Sequence, residues 1–141
     1  MMKSFRRRGE RGQSALEFAL AAPFLLAFIM FIVDAGLFSY SYISVTNAVR
    51  EGARCGAVGG VDGAITTRVT KASGGLTNIV TVDAPVRGPD IGDDITVTAH
   101  YTYDWITPVG ILPGLGLADL QFTKSATMRM ETAPPYTKAT C

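Results

Sequence analysis

Phe18 to Val33 reads FALAAPFLLAFIMFIV, sixteen uncharged and almost wholly apolar residues between Glu17 and Asp34. As a helix rising about 1.5 Å per residue, this run covers about 24 Å, slightly short of the ~30 Å hydrocarbon core of a bilayer. Adding Ala15, Leu16 and residues 35–38 closes the gap, which sets the expected transmembrane span at about 16–38. Tyr40 and Tyr42 then fall where interfacial aromatics sit. Asp34 is expected to be a boundary residue in contact with water. Glu17 is the odd residue: a carboxylate costs roughly 2.5–3.5 kcal/mol at the centre of a membrane helix and less near its edge. It either lies at the headgroup level or has a cationic partner within the membrane.

Outward from that run the charge is uneven. The chain has 141 residues, 13 basic and 12 acidic, with 48% hydrophobic residues. Residues 1–16 carry Lys3, Arg6, Arg7, Arg8 and Arg11 against one acid, Glu10, while the remainder carries 8 basic and 11 acidic groups. The basic charge is a short cluster, not a face of a domain, so nucleic acid is not expected as a partner. The same asymmetry puts the N-terminus in the cytoplasm and the rest outside. A cleaved signal peptide competes with a retained anchor. It is the poorer fit: Ser39-Tyr40-Ser41 is a weak cleavage site, and the helical pattern runs on to about Val58 with no Gly or Pro between Leu37 and Glu51.

The stretch Arg11 to Ala57 resembles the N-terminal signature of the TadE-like family, pseudopilins or minor pilins of the tight-adherence (Flp, type IVc) pilus. The matching elements are Arg11-Gly12-Gln13, Ala15-Leu16-Glu17-Phe18, Pro23, Asp34-Ala35-Gly36, and the most specific, Thr46 to Arg54 (TNAVREGAR). The C-terminal part is similar to the family too, in Val97 to Pro108, the Gly/Pro-rich loop after it, and Lys124 to Glu131. The resemblance implies a cut by a prepilin peptidase at Gly12–Gln13, making residues 1–12 a cytoplasmic leader. Glu17, followed by Phe18, would then be the fifth residue of the mature chain. It also implies that the new amine at Gln13 pairs with the glutamate of a neighbouring subunit. Other pilin subunits, the pilus-assembly machinery and the membrane are the partners it implies. The place implied is the bacterial inner membrane, single-pass, or a surface pilus and its tip.

Residues 13–58 read as one long helix, the upper half an extension beyond the membrane. Ser44, Ala48, Gly52 and Gly56 recur every four residues and form a ridge of small side chains. Such a ridge lets another backbone approach closely, either the protein's own sheet or a neighbouring subunit. Glu51 and Arg54 are an i,i+3 pair. Gly56, Gly59 and Gly60 end the helix. Asp62 is expected to cap a second helix, Gly63 to Ala72, with Ile65, Val69 and Ala72 at helical spacing.

Three stretches of residues 59–141 then alternate with period two. Leu76, Val80, Val82 and Ala84 share one face. So do Ile95, Val97, Ala99, Tyr101, Tyr103 and Trp105, opposite Thr96, Thr98, His100, Thr102 and Asp104. Leu120, Phe122, Ala126, Met128 and Met130 share a third, with Lys124 the exception. A three-stranded antiparallel sheet with one apolar face needs a cover, and the helical extension supplies it. The expected class is α+β and pilin-like, with a long N-terminal transmembrane helix laid across a small sheet. The loop ITPVGILPGLGLA, Ile106 to Ala118, either folds back over the core or presents Ile106, Val109, Ile111, Leu112, Leu115 and Leu117 to another subunit or to the membrane rim.

Cys55 and Cys141 lie 86 residues apart. Outside the cytoplasm they can form an internal bridge, pair between molecules, or stay as two thiols. The lone histidine, His100, sits on a polar strand face and reads as solvated. No G-x-S-x-G elbow, P-loop or C-x-x-C occurs, and Asp90, Asp93 and Asp94 lack EF-hand spacing. No catalysis, cofactor or metal is expected. Two functions remain open: a minor pilin acting in pilus assembly and adhesion, or a membrane-anchored extracytoplasmic binding module that never enters a filament.

Overall fold

The computed structural model describes residues 10–76, 80–107 and 120–141. The first element, α1 (Glu10–Ala57), is a single helix of 48 residues. A second, α2 (Asp62–Ala72), turns back along its upper half. Four antiparallel strands follow: β1 (Val80–Val82), β2 (Val86–Arg87), β3 (Asp94–Tyr103) and β4 (Leu120–Arg129). The fold is α+β, a long apolar helix followed by a small antiparallel sheet.

The sheet is three positions wide. β3 is central, with β4 on one side in a ten-pair ladder from Asp94 opposite Arg129 to Tyr103 opposite Leu120. β1 and β2 share the other edge. They are one strand interrupted by a bulge. Val82 pairs with Ala99, and the Asp83 amide bonds to the Thr98 carbonyl, 3.0 Å. Val86 pairs with Thr96, so Ala84 and Pro85 together face Val97. Proline has no N–H for the ladder, and such a residue is accommodated at an edge or bulge. The extra residue reverses the facing of everything beyond it. Val86 therefore points to solvent at 71% exposure, while Arg87, opposite buried Ile95, turns inward. Ala84, expected on the apolar face, lies in the bulge itself and is exposed.

On β3 the expected alternation holds at every position. Ile95, Val97, Ala99, Tyr101 and Tyr103 are buried, and His100 between them is exposed. On β4, Leu120, Phe122, Ala126 and Met128 pack against the core, and Met130 just beyond it is buried. The cover over this face is the upper half of α1, through Val45, Ala48, Val49 and Ala53. α2 closes the flank with Ile65 and Val69, both fully buried.

The small-residue ridge faces inward at its upper end. A Cβ added at Gly52 would collide with Val69, and one at Gly56 with Ile95. The crossing helix and strand thus approach closer than any side chain there would permit. Ala48 is fully buried, and Ser44 lies half-buried below it.

The helix end accounts for its free carbonyls. Gly60 N–H reaches the Cys55 carbonyl (3.0 Å), Gly59 N–H that of Gly56 (3.0 Å), and Glu131 N–H that of Ala57 (2.8 Å). Gly59 takes φ +89°, which favours glycine. Asp62 is not the cap of α2: the capping position is Val61, with no side-chain bond. Asp62 instead opens the helix, where its negative charge complements the dipole, and it accepts from Arg87 Nη2 at 2.6 Å.

Candidate functional site

Below the domain α1 continues alone. From Leu16 to Val33 every large apolar side chain of the helix is exposed, Phe24 at 78%. Scattered exposed apolar residues are ordinary, but a continuous band on all sides of a helix is not. The helix is long and apolar enough to cross a membrane. The exposed run of 18 residues spans about 27 Å, close to the thickness of a bilayer's hydrocarbon core. Pro23 lies inside it, leaving the Ala19 carbonyl without its usual i+4 donor.

The run ends earlier than residue 38, because Leu37 and Phe38 pack against the domain. Asp34 marks the change, and it is not a residue in contact with water: its exposure is 0%. The turn after β3 closes over it. Thr107 Oγ1 donates to Asp34 Oδ2, the Ile106 amide to Oδ1 (3.3 Å), and the Tyr103 hydroxyl to its backbone oxygen (3.1 Å) and Oδ1 (3.4 Å). Burial, reinforced by the charge of Asp34 and its hydrogen bond, pushes the Tyr103 phenol up to about 12. Two turns higher, Tyr101 OH donates to Ser41 Oγ at 3.1 Å. The inward-facing tyrosines of β3 thus anchor the sheet to polar atoms of an otherwise apolar helix.

Lys124, the exception on β4, follows the same logic. It shares the face of its apolar neighbours, but its ammonium reaches the rim, where it donates to Tyr42 OH and lies 3.8 Å from the ring centroid. The stem packs while the charge stays wet. Tyr42 also meets Phe38 and Phe122.

At the lower end the Gly12–Gln13 bond lies three residues into the helix, and Gly12, Gln13, Glu17 and Phe18 are all exposed. Gln13 Nε2 donates to Glu17 Oε1 at 3.1 Å. Glycine weakens a helix by about 1 kcal/mol relative to alanine, which lowers the cost of unwinding this terminal turn.

At the upper end Cys55 and Cys141 are joined, their Cα atoms 5.5 Å apart. The tail is also held by Val61 N–H to the Lys138 carbonyl, 2.9 Å. Arg87 lies beneath it, its guanidinium 4.4 Å from the Tyr136 ring centroid and its Nη2 2.9 Å from the Gly60 carbonyl. Beside the disulfide is a cleft of about 260 Å³ lined in part by Arg54, Arg68 and Lys138. Both arginines converge on Glu51, Arg68 at 2.7 Å and Arg54 at 3.0 Å. Arg68 and then Arg54 hold the Glu51 carboxyl below its ordinary 4.5. A depressed carboxyl stabilises the fold above its unfolded pKa, and that contribution is lost as pH falls below about 4.5. The group is over a third exposed, so the effect is a surface pair's, at most about 1 kcal/mol. Glu51→Gln should therefore shrink the stability lost between pH 7 and pH 3 by up to about 1 kcal/mol, as read by denaturant unfolding.

His100 bridges strands on the open face, with Nε2 2.8 Å from Asp83 Oδ2 and Nδ1 2.8 Å from Thr123 Oγ1. Among the described residues no cluster of His, Cys, Asp or Glu is placed to hold a metal ion. Val109, Ile111, Leu112, Leu115 and Leu117 of the apolar loop lie outside the described residues, as does the leader up to residue 9.

No curated protein and no solved structure matches this chain. A protein-family model does: residues 12–54, nearly the whole of α1, match the family described as TadE-like protein.

Proposed function

We propose that this chain is a minor pilin or pseudopilin of a bacterial tight-adherence pilus, seated in the inner membrane by residues 16–33 and taking part in pilus assembly and thereby adhesion. The observation that carries the reading is the exposed apolar half of a TadE-like helix with a glutamate at its lower end. An anchor needs the apolar band alone and gains nothing from Glu17. A subunit that must join others in register does gain. Among the described residues its carboxylate accepts from the neutral amide of Gln13, and a charge in lipid is costly until a cation meets it. Cutting at Gly12–Gln13 by a prepilin peptidase would create that cation, the α-amine of Gln13, on the subunit or its neighbour.

The experiment is Glu17→Ala in a cell otherwise competent for piliation. Pilus number is expected to fall several-fold while the amount of membrane-bound protein is unchanged, since alanine removes no apolar contact. Unchanged piliation would instead favour an anchored binding module that never enters a filament.

A further inference from the structure

We propose that Trp105 and Ile106 sit in the headgroup layer of the bilayer, giving the domain a second contact with the membrane beside its helix. The inference rests on the reading of residues 16–33 as a bilayer-spanning segment and adds what the domain does there.

Height carries the argument. Val33 is the last residue of the exposed apolar band, and Asp34 is the next. The Ile106 amide lies 3.3 Å from Asp34 Oδ1, and Thr107 donates to its other oxygen. The turn at 105–107 is therefore level with the top of the apolar band. A bilayer adds about 5–7 Å of headgroup region to each side of its hydrocarbon core. With the band filling the core, this turn falls inside that layer.

The residues suit the place. Ile106 is 72% exposed, and Trp105 is half-buried, edge-on to Tyr103 at 5.3 Å between centroids. Tryptophan with an adjoining apolar side chain is the composition enriched at membrane interfaces. One exposed isoleucine means little by itself. Val86 and Ile91 are exposed as well, but both belong to the opposite end of the sheet, beside Ile95. What sets Ile106 apart is its continuity with the apolar band. The Asp34 bonds make the arrangement rigid, fixing how far the domain stands from the lipid.

Trp105 is the only tryptophan in the chain, so its emission reports this turn alone. The full chain is reconstituted in phosphatidylcholine vesicles whose acyl chains are brominated either near the headgroup or near the bilayer centre. Trp105 is expected to lose most of its emission with the shallow label and little with the deep one, and Ile106→Asp should sharply reduce the shallow quenching. Emission indifferent to both lipid labels overturns the inference, whether acrylamide quenches it from water or a second copy of the chain shields it. The helix reading is checked separately with Phe24→Trp in a Trp105→Phe chain. If that probe is quenched by the deep label while Trp105 responds to neither, the helix spans and the seat at 105–106 is wrong. If the probe at position 24 escapes the deep label, the spanning segment itself is wrong.

Discussion

Asp34→Leu is expected to release the turn after β3 from the helix and to cost about 2–5 kcal/mol of domain stability. Two donors lose their acceptor, the buried Thr107 hydroxyl and the part-buried Ile106 amide; a fully buried donor so deprived costs about 1–3 kcal/mol, and the amide adds a smaller share. The Tyr103 hydroxyl keeps its bond to the backbone oxygen of residue 34, which limits the loss. Asp34→Asn retains one acceptor oxygen and should fall between wild type and the leucine variant. Denaturant unfolding of the full chain in detergent micelles, followed by Trp105 emission, reads the effect. Hydrogen exchange should quicken first at 103–107. A second signature is alkaline. The Tyr103 phenol is raised from 10 to about 12, so its contribution is intact below 10 and is lost as pH climbs through 12. The leucine variant, lacking the Asp34 charge, should lose less over this range and complete the loss at a lower pH, although burial, the largest cause, remains. An Asp34→Leu chain as stable as wild type would mean the turn is held by other contacts.

Loss of the disulfide has a comparable expected effect. The bridge closes a loop of 86 residues, for which the chain-entropy model gives about 4–5 kcal/mol, and measured losses in small domains are about 2–5 kcal/mol. Reduction, or Cys55→Ser with Cys141→Ser, should lower the unfolding free energy by that much. It should also loosen the tail selectively. The Val61 to Lys138 bond and the Arg87–Tyr136 contact depend on the tail lying across the end of α1. Proteolysis within 132–141 should thus accelerate well before the sheet unfolds. If denaturation midpoints with and without reductant coincide, the tail is held by its other contacts.

What was legible in the sequence was whatever depends on local period. The sixteen apolar residues before Asp34 give the helix, and the strict alternation from Ile95 to Tyr103 gives the central strand with its buried face. The ridge at Ala48, Gly52 and Gly56 showed that something approaches closely, but not what; Val69 and Ile95 answer that from 17 and 39 residues further along the chain. Asp34 looks like a boundary carboxylate at the end of an apolar run, but its partners lie about 70 residues away, beyond the reach of local period. Ala84 leaves the apolar face because it shares a bulge with Pro85, which cannot donate to a ladder. Arg87, which reasoning from period two passed over, is brought under the tail by that same bulge. The cysteine pairing was open because only the Cα separation decides it.

The mass of the protein recovered from its native membrane decides whether the chain is, as proposed, a processed pilin-like subunit. Processing at Gly12–Gln13 predicts a mature chain that begins at Gln13, with the Cys55–Cys141 bridge intact. A chain that retains residues 1–12, or one that begins beyond Phe38, would contradict it.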